Sequence, residues 1–183
     1  MRIRIAQLAA QFMAEHGIRD YALAKRKAAR QLGAPDTHSM PGNDEIDAAL
    51  RSYHALYNAE DHRLTLLAQR RQALEALRAF ERFQPVLTGA VLEGTASSHA
   101  DIEIEVHADA SKEFEQFLIN EAADFRVADR NGRHGFLVYS TPSNIHVTVL
   151  PMSSLHAHAR ARQEGLKRAS ARQLERVIEE GAA

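Results

Sequence analysis

Cysteine and tryptophan are both missing from this chain of 183 residues. The first absence excludes disulfides, thiol catalysis and cysteine-ligated zinc. Proline and glycine are sparse, at five and nine residues, so collagen-like and low-complexity architectures are excluded as well. No run of about 18 apolar residues occurs, which leaves no segment that reads as a membrane span. The N-terminus carries two arginines but no long apolar stretch or cleavage signal, so it does not read as a secretory leader. Gly-x-Ser-x-Gly, the phosphate-binding Gly-x₄-Gly-Lys-Ser/Thr loop and the dinucleotide Gly-x-Gly-x-x-Gly fingerprint are all absent, which disfavours the enzyme classes built on them. The expectation is a cytoplasmic protein with no membrane partner.

What is present is an ordinary globular composition, 45% hydrophobic and 26% charged, with a net charge of −1. The charge is unevenly spread. Residues 1–33 hold seven Lys/Arg against two acids, residues 93–124 hold nine acids against one lysine, and residues 156–176 hold six Lys/Arg against two acids. An acidic centre between basic ends suits a metal site beside an anionic substrate. Solvated helix faces are the plainer reading of the flanks taken alone.

Apolar spacing predicts a helix over residues 3–16 stopped by Gly17, and a second, capped by Asp20, ending near Leu32. The longest helical stretch runs from Asn43 or Asp44 to about Phe83, with a break expected near 59–62. After Pro85 the pattern changes. Val86–Leu92 and residues 101–107 read as strands, and 110–122 as an amphipathic helix. Phe125–Ala128, Phe136–Tyr139 and Ile145–Leu150 read as strands, with Asn131-Gly132 as a hairpin turn. Residues 153–180 read as helical. The fold class is therefore α+β, with a helical region over residues 1–83 and a mixed-sheet domain with a C-terminal helix over residues 84–183.

The most informative segment is Leu92-Glu93-Gly94-Thr95, five residues, then Asp101-Ile102-Glu103-Ile104-Glu105-Val106. On a strand, Asp101, Glu103 and Glu105 project to one side while Ile102, Ile104 and Val106 bury on the other. Such an acidic face is either fully solvated or holds a cation. Beside a Gly-Thr turn able to seat phosphate, the second option suggests Mg²⁺-nucleotide chemistry.

These residues resemble the nucleotidyltransferase superfamily, the polymerase-β-like fold, across roughly residues 74–150. The resemblance implies that Gly94 lets backbone approach a triphosphate and that Thr95 donates to it in place of the family's usual serine. It implies that Asp101 and Glu103 are catalytic and hold two Mg²⁺ ions, with Glu105 a further metal ligand. The implied reaction moves a nucleoside monophosphate from an NTP to an acceptor and releases pyrophosphate. Two departures stand out. The loop from Thr95 to Asp101 is short, and the later strand, Asn144–Leu150, offers His146 and Thr148 where the family carries a third carboxylate. A non-catalytic adaptor, or a nucleic-acid-binding protein keeping the fold, is the alternative.

Other groupings are less specific. Lys25, Arg26, Lys27 and Arg30 form a basic cluster that suits a nucleic-acid backbone. Arg168, Arg172 and Arg176 fall on one face if the C-terminal segment is one helix. His156 and His158 share a face only if their segment is extended.

Overall fold

The structure is a computed structural model describing residues 1–35, 38–57, 59–130, 132–154 and 167–181. His156 and His158, the hairpin residue Asn131 and residues 155–166 of the expected helix over 153–180 lie outside the described residues. The chain forms two compact units. One is Met1–Leu66 with Gly94–Ala100, and the other is Leu67–Glu93 with Asp101–Ala183.

The first unit is built on α1 (Arg2–His16), α2 (Tyr21–Gln31) and α3 (Asn43–Tyr57). Gly17 ends α1 at φ 63°, and the Asp20 carboxylate accepts from the Ala22 and Leu23 N–H groups to open α2. Both signals act as the sequence predicts. The core pairs small residues with large ones. Ala9, Ala10, Ala24, Ala28 and Ala29 let the backbones approach, while Ile5, Phe12, Ile46 and Leu50 fill the space. Tyr21 donates to Asp47 and Tyr53 to Glu15 across the helices. The latter bond lowers the Glu15 pKa from its ordinary value. The basic cluster of α2 is partly committed locally, with Lys25 donating to Asn43 and Lys27 lying over the Phe12 ring.

The long helical stretch is a pair of helices, α3 and α4 (Ala59–Ala79), divided close to the break read from the sequence, and a short 3₁₀ turn over Glu81–Phe83 follows. The second unit contains a five-stranded mixed sheet in the order β1-β2-β5-β4-β3. Its strands are β1 (Val86–Thr88), β2 (Ile102–His107), β3 (Phe125–Val127), β4 (Gly135–Val138) and β5 (Ile145–Leu150). Only the β2–β5 pair is parallel, and the other three pairs are antiparallel. The expected strand Val86–Leu92 is shorter than the apolar run suggests: it stops at Thr88, and Gly89–Glu93 forms a helical turn, α5. Arg70 holds that turn in place by donating to the carbonyls of Val91 and Leu92. A guanidinium suits the negative end of a helix, and burial lowers its pKa from the usual value.

Register explains the core. Leu87, Ile104, Val147 and Phe136 lie in one row across four strands, all essentially inaccessible to water. Phe114 of α6 (Ser111–Asn120) packs against Phe136 and, with Phe80 and Phe83, makes edge-to-face contacts at 5.0–5.2 Å. Edge contacts of this kind are favoured by the ring quadrupole. The Gln72 side chain ties the β4–β5 connection to α4. It donates to the Ser143 carbonyl at 2.7 Å and accepts from the Ser143 N–H at 3.1 Å. The final helix, α7, is Ala171–Glu180, opened by a Ser170/Gln173 capping box. The architecture is α+β, with helices preceding a mixed sheet and a C-terminal helix following it.

Candidate functional site

The row next to the core row faces the other way. Thr88, Glu103 and His146 are neighbours on β1, β2 and β5, and Glu105 and Thr148 are neighbours one step along. Ile102, Ile104 and Val106 are buried on the opposite side, so the alternation expected of this strand is what the structure has. Asp101 lies immediately before β2 and is half-buried. Thr88, Glu103, Glu105, Arg130, Arg133, His146 and Thr148 line a cavity of about 400 Å³. His146 bonds through Nε2 to the Ala128 carbonyl at 3.1 Å. Because a carbonyl only accepts, Nε2 carries the proton, and a neutral ring leaves Nδ1 as an acceptor.

The carboxylates are not left to repel one another. Arg130 donates to Glu103 Oε1 at 2.8 Å. Arg168 donates through Nε to Glu105 Oε2 at 2.6 Å and through a terminal nitrogen to Oε1 at 3.3 Å. Arg133 stands 3.7 Å from Glu105 Oε1. Three guanidiniums thus meet two carboxylates. The Glu105 pair is the more sheltered, its carboxylate side chain being 11% exposed and Arg168 34%. Charge-assisted bonds gain strength in such shelter.

Each arginine has a structural address. Arg130 and Arg133 exchange backbone N–H···O bonds of 3.0 Å at the start of the β3–β4 hairpin, which sets their side chains side by side. Arg168 precedes α7, and its neighbour Ala169 bridges Leu87 of β1 with bonds of 2.8 and 2.9 Å. It therefore does not share a helical stripe with Arg172 and Arg176, as the spacing alone suggests. The Arg-Asn-Gly-Arg sequence does carry a signal, since a short hairpin turn brings its two arginines together. Nothing local in the sequence points from Glu105 to Arg168.

Gly89 is the other residue that sequence reasoning misses. It has φ 72°, and a Cβ added to it would lie 2.5 Å from Glu103 Oε2 and 2.9 Å from Cδ. Only glycine permits that approach of backbone to carboxylate. Gly94 and Thr95 belong to the other unit. Gly94, at φ 78°, follows α5 and suits a helix stop. Thr95 is 2% exposed, and its hydroxyl is buried with no hydrogen-bond partner among the described residues. An orphaned donor of this kind invites an explanation.

Among the described residues no three His, Asp or Glu side chains converge as a ready-made metal cage. The donor chemistry nevertheless fits Mg²⁺. That ion is commonly held by one or two carboxylates together with substrate phosphates and water, and Glu103 and Glu105 line the cavity whereas Asp101 is not among its lining residues. Glu105 is already engaged through both oxygens.

No protein-family model and no curated protein matches the chain. Among solved structures it is similar to a cytoplasmic RNA terminal U-transferase, with 20% identity and a TM-score of 0.34 over 51% of this chain and 31% of the other. It is similar also to a poly(U) polymerase, with 19% identity and a TM-score of 0.36 over 51% and 32%. A further structure of that polymerase, with a UTP analogue, gives 17% identity and 0.38 over 64% and 39%. The chain spans 31–39% of the length of these proteins.

Proposed function

We propose that this chain is a nucleotidyltransferase-like protein that binds an NTP with Mg²⁺ on the open face of its sheet. The observation that carries the reading is the single-sided acidic face of β2. Glu103 and Glu105 share it, Asp101 precedes it, and a cavity of about 400 Å³ opens over it. Asp101 and Glu103 are the proposed metal ligands, with Glu105 a weaker one because Arg168 occupies it. Gly94 and Thr95 are proposed as phosphate contacts on the family resemblance alone. Bound Mg²⁺ would neutralise phosphate charge and favour in-line attack on the α-phosphate. In the transfer, an acceptor oxygen would bond to the α-phosphorus as it loses its proton, and the α–β anhydride bond would break to release pyrophosphate. The proposed acceptor is a nucleic-acid end, a small molecule or a protein side chain, with the basic segments of the chain favouring the first, and the proposed compartment is the cytoplasm.

A second reading, a non-catalytic adaptor keeping the fold, is favoured by one observation: both glutamates are ion-paired with arginines. Thermal unfolding separates the two. A native-state ligand at a hundredfold over its Kd stabilises by about 2.7 kcal/mol, a rise on the order of 5 °C for a chain of this size. We expect that rise with an NTP and Mg²⁺ or Mn²⁺, its loss in Asp101→Ala/Glu103→Ala, and its reduction in Thr95→Val. A folded wild type with no shift for any nucleotide would leave the adaptor reading.

A further inference from the structure

The arginines that neutralise the acidic face have a second use. We propose that Arg130 and Arg133 form a phosphate-binding pair that recognises the polyphosphate tail of a metal-bound nucleotide. This inference rests on the nucleotide-binding reading above and adds residues that the family resemblance does not supply.

The first argument is charge. Two guanidiniums, those of Arg130 and Arg168, each hydrogen-bond a carboxylate. Arg133 approaches Glu105 only at 3.7 Å, and both oxygens of that carboxylate already accept from Arg168. Its side chain is 58% exposed and lines the cavity. The cavity therefore holds a cation that is ion-paired with Glu105 at 3.7 Å but has no direct hydrogen bond to it.

The second argument concerns Arg130. Its guanidinium bonds Oε1 of Glu103, the carboxylate proposed as a metal ligand. A divalent cation bound to that carboxylate repels the guanidinium and weakens its hold. With the carboxylate taken, Arg130 needs another anion, and an anion that arrives with the metal meets that need. The planar fork of arginine suits phosphate oxygens.

The third argument is geometry. The paired backbone bonds between Arg130 and Arg133 hold the two side chains together at the hairpin. The backbone origins of both side chains are thereby fixed by the fold on one edge of the cavity. An oxyanion with several phosphates matches two forks on one edge better than a single monovalent anion does.

The test is direct titration of the full chain with Mn²⁺ alone, with inorganic tripolyphosphate plus Mg²⁺, and with each NTP plus Mg²⁺. The proteins are wild type, Arg130→Ala, Arg133→Ala and Arg130→Lys/Arg133→Lys, with unfolding midpoints as a check on folding. We expect each alanine variant to weaken tripolyphosphate and NTP binding at least tenfold, with the lysine variant intermediate. Arg130→Ala should at the same time bind Mn²⁺ alone more tightly, because its competitor for Glu103 is gone. A merely structural role does not produce these opposite shifts. Wild-type affinity for Mg²⁺-NTP retained by both alanine variants would overturn the inference and leave the nucleotide reading standing. A wild type that binds no metal-nucleotide overturns both.

Discussion

Glu103 and His146 are register partners on the parallel strands β2 and β5. The position opposite the proposed metal ligand is thus an imidazole that bonds to Ala128. Mg²⁺ prefers oxygen to nitrogen, so this single residue weakens any hard-cation site on the face. His146→Asp is expected to tighten Mn²⁺ or Mg²⁺ binding by roughly tenfold, the equivalent of about 1.4 kcal/mol. It should also cost about 1 kcal/mol of stability through loss of the Ala128 bond. Calorimetric titration and urea unfolding of the variant read the two effects separately, and unchanged metal affinity would count against a metal site at Glu103.

Glu105 and Arg168 form the most sheltered charge pair on this face. Removing one partner of such a pair leaves a poorly solvated charge. Glu105→Ala and Arg168→Ala are each expected to destabilise by about 1–3 kcal/mol. The double variant should lose clearly less than the sum, as contacting residues do. Additive losses in a denaturant-unfolding cycle would mean the two side chains do not interact in solution.

Gly89 gives a prediction that links stability to the site. Its left-handed φ and the 2.5 Å approach to Glu103 both oppose a Cβ. Gly89→Ala should cost about 1–3 kcal/mol. In a Glu103→Ala background the clash is gone and only the backbone cost of about 1 kcal/mol remains. Unfolding free energies of the two singles and the double check this, and an equal cost in both backgrounds would show that the carboxylate does not press on Gly89.

A pH effect is expected from the first unit. The His54 ring is 7% exposed and stacks 3.8 Å from His62. Burial, and secondarily the charge of His62, pushes its pKa down to about 4. The unfolded chain has an ordinary value near 6.5. Between pH 6.5 and 4 the unfolded state takes up a proton that the folded state refuses, so stability falls as pH falls. This loss, on the order of 3 kcal/mol, is absent above about pH 6.5 and nearly complete at pH 4. His54→Leu should flatten the stability profile across that window, as measured by urea unfolding from pH 4 to 7.

The sequence makes much of this legible because the relevant signals are local. Gly17, Asp20 and the alternation of β2 each act over a few residues, and each appears where periodicity and capping chemistry place it. The helical turn after Thr88 is not legible in the same way. Val86–Leu92 is apolar apart from Thr88 and Gly89, and a buried strand and a buried helical turn share that pattern. Arg70 decides between them from 21 residues away. The ion pairs of the acidic face are likewise tertiary, and composition alone shows only that acids cluster there. A row of carboxylates read from sequence looks like a bare metal face, whereas the folded chain brings its own cations to it.

The Arg168–Glu105 pair spans 63 residues. During synthesis β2 is complete long before its cation exists. The bridge from Ala169 to Leu87 arrives equally late. A nascent chain arrested between these points carries Glu105 on β2 without its two-bonded partner, with Arg133 at most beside it, and an unpaired edge beside β1. The sheet thus gains its last edge bridge and its inner charge balance together, at a single late moment of elongation.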